Sequence, residues 1–214
     1  MIAPAAGEPI VLGPDFFERR TLTVARQLIG KYLVRRSEGQ DTAVMITETE
    51  AYDGPRDKAS HAYRGHTPRN APMFRGGGTI YVYFTYGMHY CLNVVAQTHG
   101  HPTACLIRAL QPVEGLELMR RNRTGKIDPA RLKDTNLCSG PAKLAQALAI
   151  DRSLDGADLV TGEKLFIERA QPVADEHIVA APRIGVAYAG EWADKPLRFY
   201  EKDNPHVSVR SPGA

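Results

Sequence analysis

The sequence predicts an α+β chain: one compact domain built on a largely antiparallel sheet with a few flanking helices. Three observations predict it. β-rich runs follow one another at short spacing, separated by turn residues. Helical patterns are few and short. No internal repeat, low-complexity tract or linker divides the 214 residues, a length that fits one domain with a sizeable core. The domain is expected over residues 13–210, after a flexible lead-in at 1–12 and before a short tail at 211–214.

The elements are read in chain order. Asp15 precedes Phe16-Phe17-Glu18, and this pairing of an acid with Glu18 resembles a helix-capping box. A second short helix is expected over Thr23 to Ile29, with Gly30 as its stop. KYLVRR and TAVMITETEAY, on either side of the turn SEGQD, form a predicted hairpin. Residues 53–78 are loop-like. TIYVYFTYGMHYCLNVVAQ holds two β-rich runs around Tyr86-Gly87, a second hairpin. PTACLIRAL reads as a strand, EGLELMRRNR as a short helix, and CSGPAKLAQALAI as a helix with Pro141 near its start and Leu144 and Leu148 on one face. Later strands are expected at KLFIER, APRIGVAY, LRFYE and HVSV.

Composition excludes several classes. With 43% hydrophobic and 24% charged residues, the chain is neither disordered nor fibrous. Three cysteines without C-x-x-C spacing argue against a disulfide framework and for a reducing compartment. No apolar run is long enough for a transmembrane helix, and the N-terminus lacks the pattern of a signal peptide. The net charge is only +3, but its distribution is uneven. Arg56–Arg75 holds five Lys/Arg against one acid, and Arg108–Lys133 holds seven against three. Contact with a polyanion and a merely solvated surface are both compatible with such runs.

The chemistry-bearing candidates begin with Glu48 and Glu50. Strand alternation puts Val44, Ile46, Glu48, Glu50 and Tyr52 on one face. An apolar face that ends in two carboxylates fits either an acid/base pocket or a strand emerging into solvent, since buried charge is costly without a partner. Two carboxylates on one face lie too close together to flank a sugar as glycoside hydrolases require. His61 lies in a loop, where it is either exposed or a donor to a ligand. His99 and His101 form an H-x-H pair without further ligands, so no metal is expected. Most aromatics of the second hairpin read as cross-strand packing. Tyr86, at the turn, fits a wedge entering a base stack. Asn93 and Arg108 sit in apolar strand surroundings and must be satisfied there, structurally or as a pocket floor.

The blocks TETEAYDGPRDKASHAYRG, TPRNAPMF, TIYVYFTYGMHYCLNVV, LIRALQPVEGLELMR, LCSGPAKLAQAL and AGEWADKPLRFY occur in an order that resembles the alkyladenine (methylpurine) DNA glycosylase family, from about Leu12 to about Val209. The resemblance implies a curved sheet and a protruding hairpin that inserts into the minor groove. It implies a repair enzyme that flips a damaged purine from duplex DNA and hydrolyses its N-glycosidic bond, leaving an abasic site. Glu50 then resembles the base that activates water, and Arg108 its partner. Tyr52, His61 and Tyr83 resemble the walls around the flipped base, Asn93 the floor that crowds normal guanine, and Tyr86 the side chain that fills the vacated stack. Arg69, Arg120, Arg121 and Lys143 are candidates for the DNA backbone. No metal or organic cofactor, no membrane contact and a monomer are expected, in the cytoplasm of a bacterium or the nucleus of a eukaryote. A non-catalytic damage-binding protein with the same pocket is the competing reading. The chain departs from the vertebrate pattern in a His61–Thr67 loop one residue shorter, in Arg75-Gly76-Gly77-Gly78 replacing a less flexible stretch before the hairpin, and in lacking the long N-terminal extension.

Overall fold

A computed structural model describes residues 10–37, 39–85, 87–124, 128 and 131–211. Most of the expected lead-in, the residues 212–214 and Tyr86 lie outside them. Residues 10–12 do not belong to a loose lead-in. Leu12 N–H donates to Ile167 O at 2.8 Å, and Arg169 N–H donates to Ile10 O at 2.8 Å, because that sheet edge offers unpaired backbone groups.

The first two elements are helices, α1 (Pro14–Phe17) and α2 (Thr21–Leu28). The expected capping box is absent. Gly13 is the N-cap of α1, Pro14 takes the first position, and Asp15 falls inside the first turn, where an acid complements the helix dipole. Helix α2 starts two residues earlier than expected. Past its end, Gly30 adopts φ +80°, and its N–H donates to Ile46 O.

The sheet is made of β1 (Tyr32–Ser37), β2 (Gln40–Tyr52), β3 (Ile80–Thr85), β4 (His89–Ala96), β5 (Thr103–Pro112), β6 (Leu165–Glu168), β7 (Ile178–Ala181) and β8 (Arg198–Glu201). It curls into a half-barrel. Its order is β3-β4-β5-β2-β1-β6, with β8 added to β2 and β7 to β8, and every pairing is antiparallel. Both predicted hairpins, β1–β2 and β3–β4, are present.

Strand β2 organises the molecule. It pairs with β5 through Val44–Tyr52, with β1 through Gln40–Met45, and with β8 through Glu48–Glu50. Where it changes partner the ladder is irregular. Ile46 faces Leu110, Glu48 faces Ala109 and Thr49 faces Ile107, so Thr47 on β2 and Arg108 on β5 are skipped. Such bulges re-aim side chains. The consequence corrects the alternation reading. Val44, Ile46 and Ala51 share the main core, and the Thr49 hydroxyl donates to Ala25 O of α2. Glu48, Glu50 and Tyr52 bond a separate polar set, so they occupy the face opposite the core.

Helices α3 (Leu116–Thr124) and α4 (Pro141–Ala147) pack together, α4 against β4 and β5 and α3 against β2. Leu144 and Leu148 are buried as expected. Residues 53–78 carry only short 3₁₀ turns. Their glycine run is a packing device. A Cβ on Gly77 would lie 2.7 Å from the backbone of Phe17, and Gly78 sits at φ +92°.

Two strand expectations fail. APRIGVAY leaves the sheet after Ala181, because Pro182 has no N–H to donate, Arg183 turns inward to a buried acid and Gly185 adopts φ +76°. HVSV forms no ladder. Val207 N–H is spent on Asn204 O and Ser208 N–H on the Glu48 carboxylate.

Candidate active site

The polar face of β2 backs onto a cavity of about 380 Å³, a volume in the range of small-ligand sites. Tyr52, His61, Tyr83, Asn93 and Arg108 all line it. They come from β2, the 3₁₀ turn after Ser60, β3, β4 and β5, so only the curled sheet brings them together.

Glu50 sits behind this lining. It is fully buried, which removes the solvent-exposed alternative, as does the equal burial of Glu48. Oε1 of Glu50 accepts from Ile184 N–H at 2.7 Å and lies 3.3 Å from Arg108 Nη1; Oε2 accepts from the Tyr52 hydroxyl at 2.9 Å. Arg108, Tyr52 and Ile184 are themselves cavity residues. Burial pushes the Glu50 carboxyl above its ordinary value, against the opposing pull of Arg108, the Ile184 amide and Tyr52. Desolvation, with Glu50 next to it, also drives the Tyr52 hydroxyl well upward, so it remains a hydrogen-bond donor.

The opposite wall is aromatic. His61 Nδ1 lies 2.8 Å from the Tyr81 hydroxyl, and its ring meets Tyr83 edge-on at 4.6 Å between centroids. His61 is exposed on the open side of the cavity, yet desolvation by its neighbours, helped by Arg69, holds its pKa down to about 4. It is therefore neutral at pH 7 and presents one donor and one acceptor. Asn70, itself buried, fixes this turn by donating to the carbonyls of His61 and Gly65. Asn93 is buried and donates to Tyr81 O at 3.0 Å across the β3–β4 ladder.

The basic candidates fall in different settings. Arg69 stands at the cavity, its guanidinium 5.3 Å from the Tyr83 ring centre, and donates to Phe84 O. Lys143 bonds Ser139 Oγ beside the cavity residues Pro141 and Ala142. Arg121 is exposed. Arg120 pairs with Glu117 and Asp134. Tyr86 lies outside the described residues. Among those residues, no cluster of His, Cys, Asp or Glu is placed to hold a metal ion, and no helix is long and apolar enough to cross a membrane.

Several residues of the site carried no signal in the sequence. Arg183 is fully buried, pairs bidentately with the equally buried Asp57 at 2.5 and 2.8 Å, and stacks 4.6 Å from the Tyr52 ring centre. The Ile184 amide reaches Glu50 across 134 residues of chain. Tyr188, an exposed aromatic, stands at the rim. All three belong to the segment expected to be a strand.

Comparison with known proteins decides the kinship. A family model for Methylpurine-DNA glycosylase matches residues 15–205. The chain belongs to the methylpurine-DNA glycosylase family. It is 50% identical to the DNA-3-methyladenine glycosylase of Mus musculus over 206 residues, covering 92% of this chain and 61% of the mouse protein, so it spans less than two thirds of that relative. Identity to the human DNA-3-methyladenine glycosylase is 50%, covering 92% and 68% of the two chains. A putative 3-methyladenine DNA glycosylase of Methanocella arvoryzae is 49% identical, covering 95% of this chain and 98% of its own. The family fixes the reaction type as DNA N-glycosylase and the substrate as DNA. In this glycosylase the buried carboxylate and the aromatic cavity form the candidate site that the fold assembles.

Proposed function

We propose that this glycosylase flips alkylated or deaminated purines out of duplex DNA and hydrolyses the N-glycosidic bond with a water activated by Glu50. The observation that carries this reading is a buried carboxylate held by Arg108, Tyr52 and the Ile184 amide, directly behind an aromatic cavity that a single base can occupy. Candidate substrates are 3-methyladenine, 7-methylguanine, hypoxanthine and ethenoadenine.

The glycosidic bond is out of reach inside stacked DNA, so the nucleotide must be extruded at a cost of roughly a few kcal/mol. Tyr86 offsets part of that cost by filling the vacancy. Once inside, the base lies among Tyr52, His61 and Tyr83. Cationic alkylated bases gain a cation–π contribution there and leave readily. Neutral lesions need a hydrogen bond at the departing purine, and neutral His61 supplies either a donor or an acceptor. Asn93 crowds the exocyclic amine of normal guanine.

Glu50 takes the proton of the attacking water, and a carboxyl raised above its ordinary value is a better base near neutral pH than a solvated one. Arg108 stands beside the carboxylate and keeps it ionised. Among the described residues no lysine lines the cavity, which supports hydrolysis to an abasic site over Schiff-base chemistry and strand cleavage.

The test is single-turnover excision from a hypoxanthine-containing duplex by Glu50→Gln. Excision is expected to fall by about 10²–10⁴-fold, the share general-base catalysis supplies, while lesion binding persists. Wild-type turnover by that variant would remove Glu50 from the mechanism.

A further inference from the structure

We propose that Glu48 is a positioning residue for the reaction: it clamps the Arg108 guanidinium so that this group faces both Glu50 and the cavity. The inference rests on the role of Glu50 proposed above.

Arg108 is one of the two residues skipped by the β2–β5 register, so the ladder does not fix where its side chain goes. Its fork is instead held at two corners. Nε donates to Glu48 Oε1 at 3.2 Å, and Nη1 lies 3.3 Å from Glu50 Oε1. One ion pair leaves a planar guanidinium free to swivel, whereas two carboxylates at adjacent corners fix its plane. Glu48 can serve as the fixed post because it cannot move. It is fully buried; Oε1 also accepts from Arg198 Nη1 at 2.9 Å, and Oε2 accepts from Ser208 N–H at 2.7 Å. Arg198 is anchored in turn to Pro182 O, Val209 O and Ser211 Oγ. Fixed contacts therefore run from the C-terminal segment through Glu48 to a residue of the cavity wall. Two carboxylates and two guanidiniums leave the cluster neutral, which makes its burial tolerable.

If Glu48 served only to neutralise Arg198, it would have no reason to share the same oxygen with Arg108. The sharing also sets what Glu50 experiences. Glu50 faces Arg108 of β5, Tyr83 of β3, Cys91 of β4 and Arg183 of the loop, with Glu48 and Tyr52 on its own strand. Removing Glu48 takes away the one carboxylate among them and leaves Arg108 to pair with Glu50 alone.

The experiment compares single-turnover excision of hypoxanthine, across pH, for wild type, Glu48→Gln, the double variant Glu48→Met/Arg198→Met, and Glu50→Gln. Glutamine at 48 must turn its amide donors toward either Ser208 N–H or the two guanidiniums, so it breaks the clamp. The methionine pair replaces a buried ion pair by apolar side chains, a change that folds tolerate, and keeps the test alive if the glutamine variant does not fold. At saturating enzyme, either folded variant is expected to lose about ten- to a hundredfold in rate, the cost of misplacing a reacting group by about 1 Å. The half-saturating enzyme concentration should stay within threefold, and the acid limb of the rate profile should move to lower pH. A wild-type rate, or a lowered rate with the acid limb unmoved, overturns the inference. Full activity of Glu50→Gln instead rejects the role of Glu50 itself, so the two failures are distinguishable.

Discussion

Replacing Asp57 by Asn probes the support under the site without changing its shape. Asp57 and Arg183 are both fully buried, and they exchange two hydrogen bonds of 2.5 and 2.8 Å. Asp57 also accepts from the amides of Ala59 and Asp53. Asparagine removes the charge and leaves the Arg183 guanidinium buried without a counter-ion. Breaking such a pair costs about 3–5 kcal/mol. For a chain of this size about 2–4 °C of Tm is lost per kcal/mol, so a fall of about 6–20 °C is expected. Trp192 is the only tryptophan in the chain, and its carbonyl accepts from Arg183, so urea unfolding followed by its fluorescence reads the affected region. Adding Arg183→Met removes the stranded charge, and the double variant should recover about 2 kcal/mol or more relative to the sum of the single losses. A loss below about 1 kcal/mol for Asp57→Asn, or strict additivity in the double variant, would refute the claim that this pair holds the segment carrying Ile184 against Glu50.

Two further predictions follow from the same geometry. Burial raises the Glu50 carboxyl, so activity should fall as pH drops through a value above the ordinary carboxylate range, and stability should move the opposite way. A folded-state pKa above the unfolded one contributes stability that is fully present below the unfolded value and lost as pH rises through the folded value. Glu50→Gln should therefore be at least as stable as wild type at pH 7.5, with the difference shrinking toward pH 4; thermal melts across pH check the sign. Gly77→Ala, whose Cβ would meet the Phe17 backbone at 2.7 Å, should destabilise by about 1–3 kcal/mol through forced separation of α1 and the loop, measurable by urea unfolding. An unchanged midpoint would mean that this run is a flexible connector after all.

The sequence by itself determined the local elements and the kinds of residue at the site. Alternation and turn chemistry are local, so both hairpins, the α+β class and the helix at Pro141 were legible in it. The order of its blocks singled out Glu50, Tyr52, His61, Tyr83, Asn93 and Arg108, and the curled sheet brings the last five around one cavity with Glu50 just behind. Periodicity could not show the skipped residues Thr47 and Arg108, because a bulge is set by the partner strand. That offset turned the two glutamates away from the core face to which alternation assigned them. Nor could local pattern show that 182–188 is a wall of the site. APRIGVAY has the composition of a strand, and only Asp57, 126 residues away, draws Arg183 inward and places the Ile184 amide on Glu50. The pairing of Glu48 with Arg108 and Arg198 is equally invisible in the chain, since those partners lie 60 and 150 residues off. Residue type and local order are written along the sequence; which charges share a buried oxygen is decided by how the sheet curls, because only burial makes their pairing obligatory.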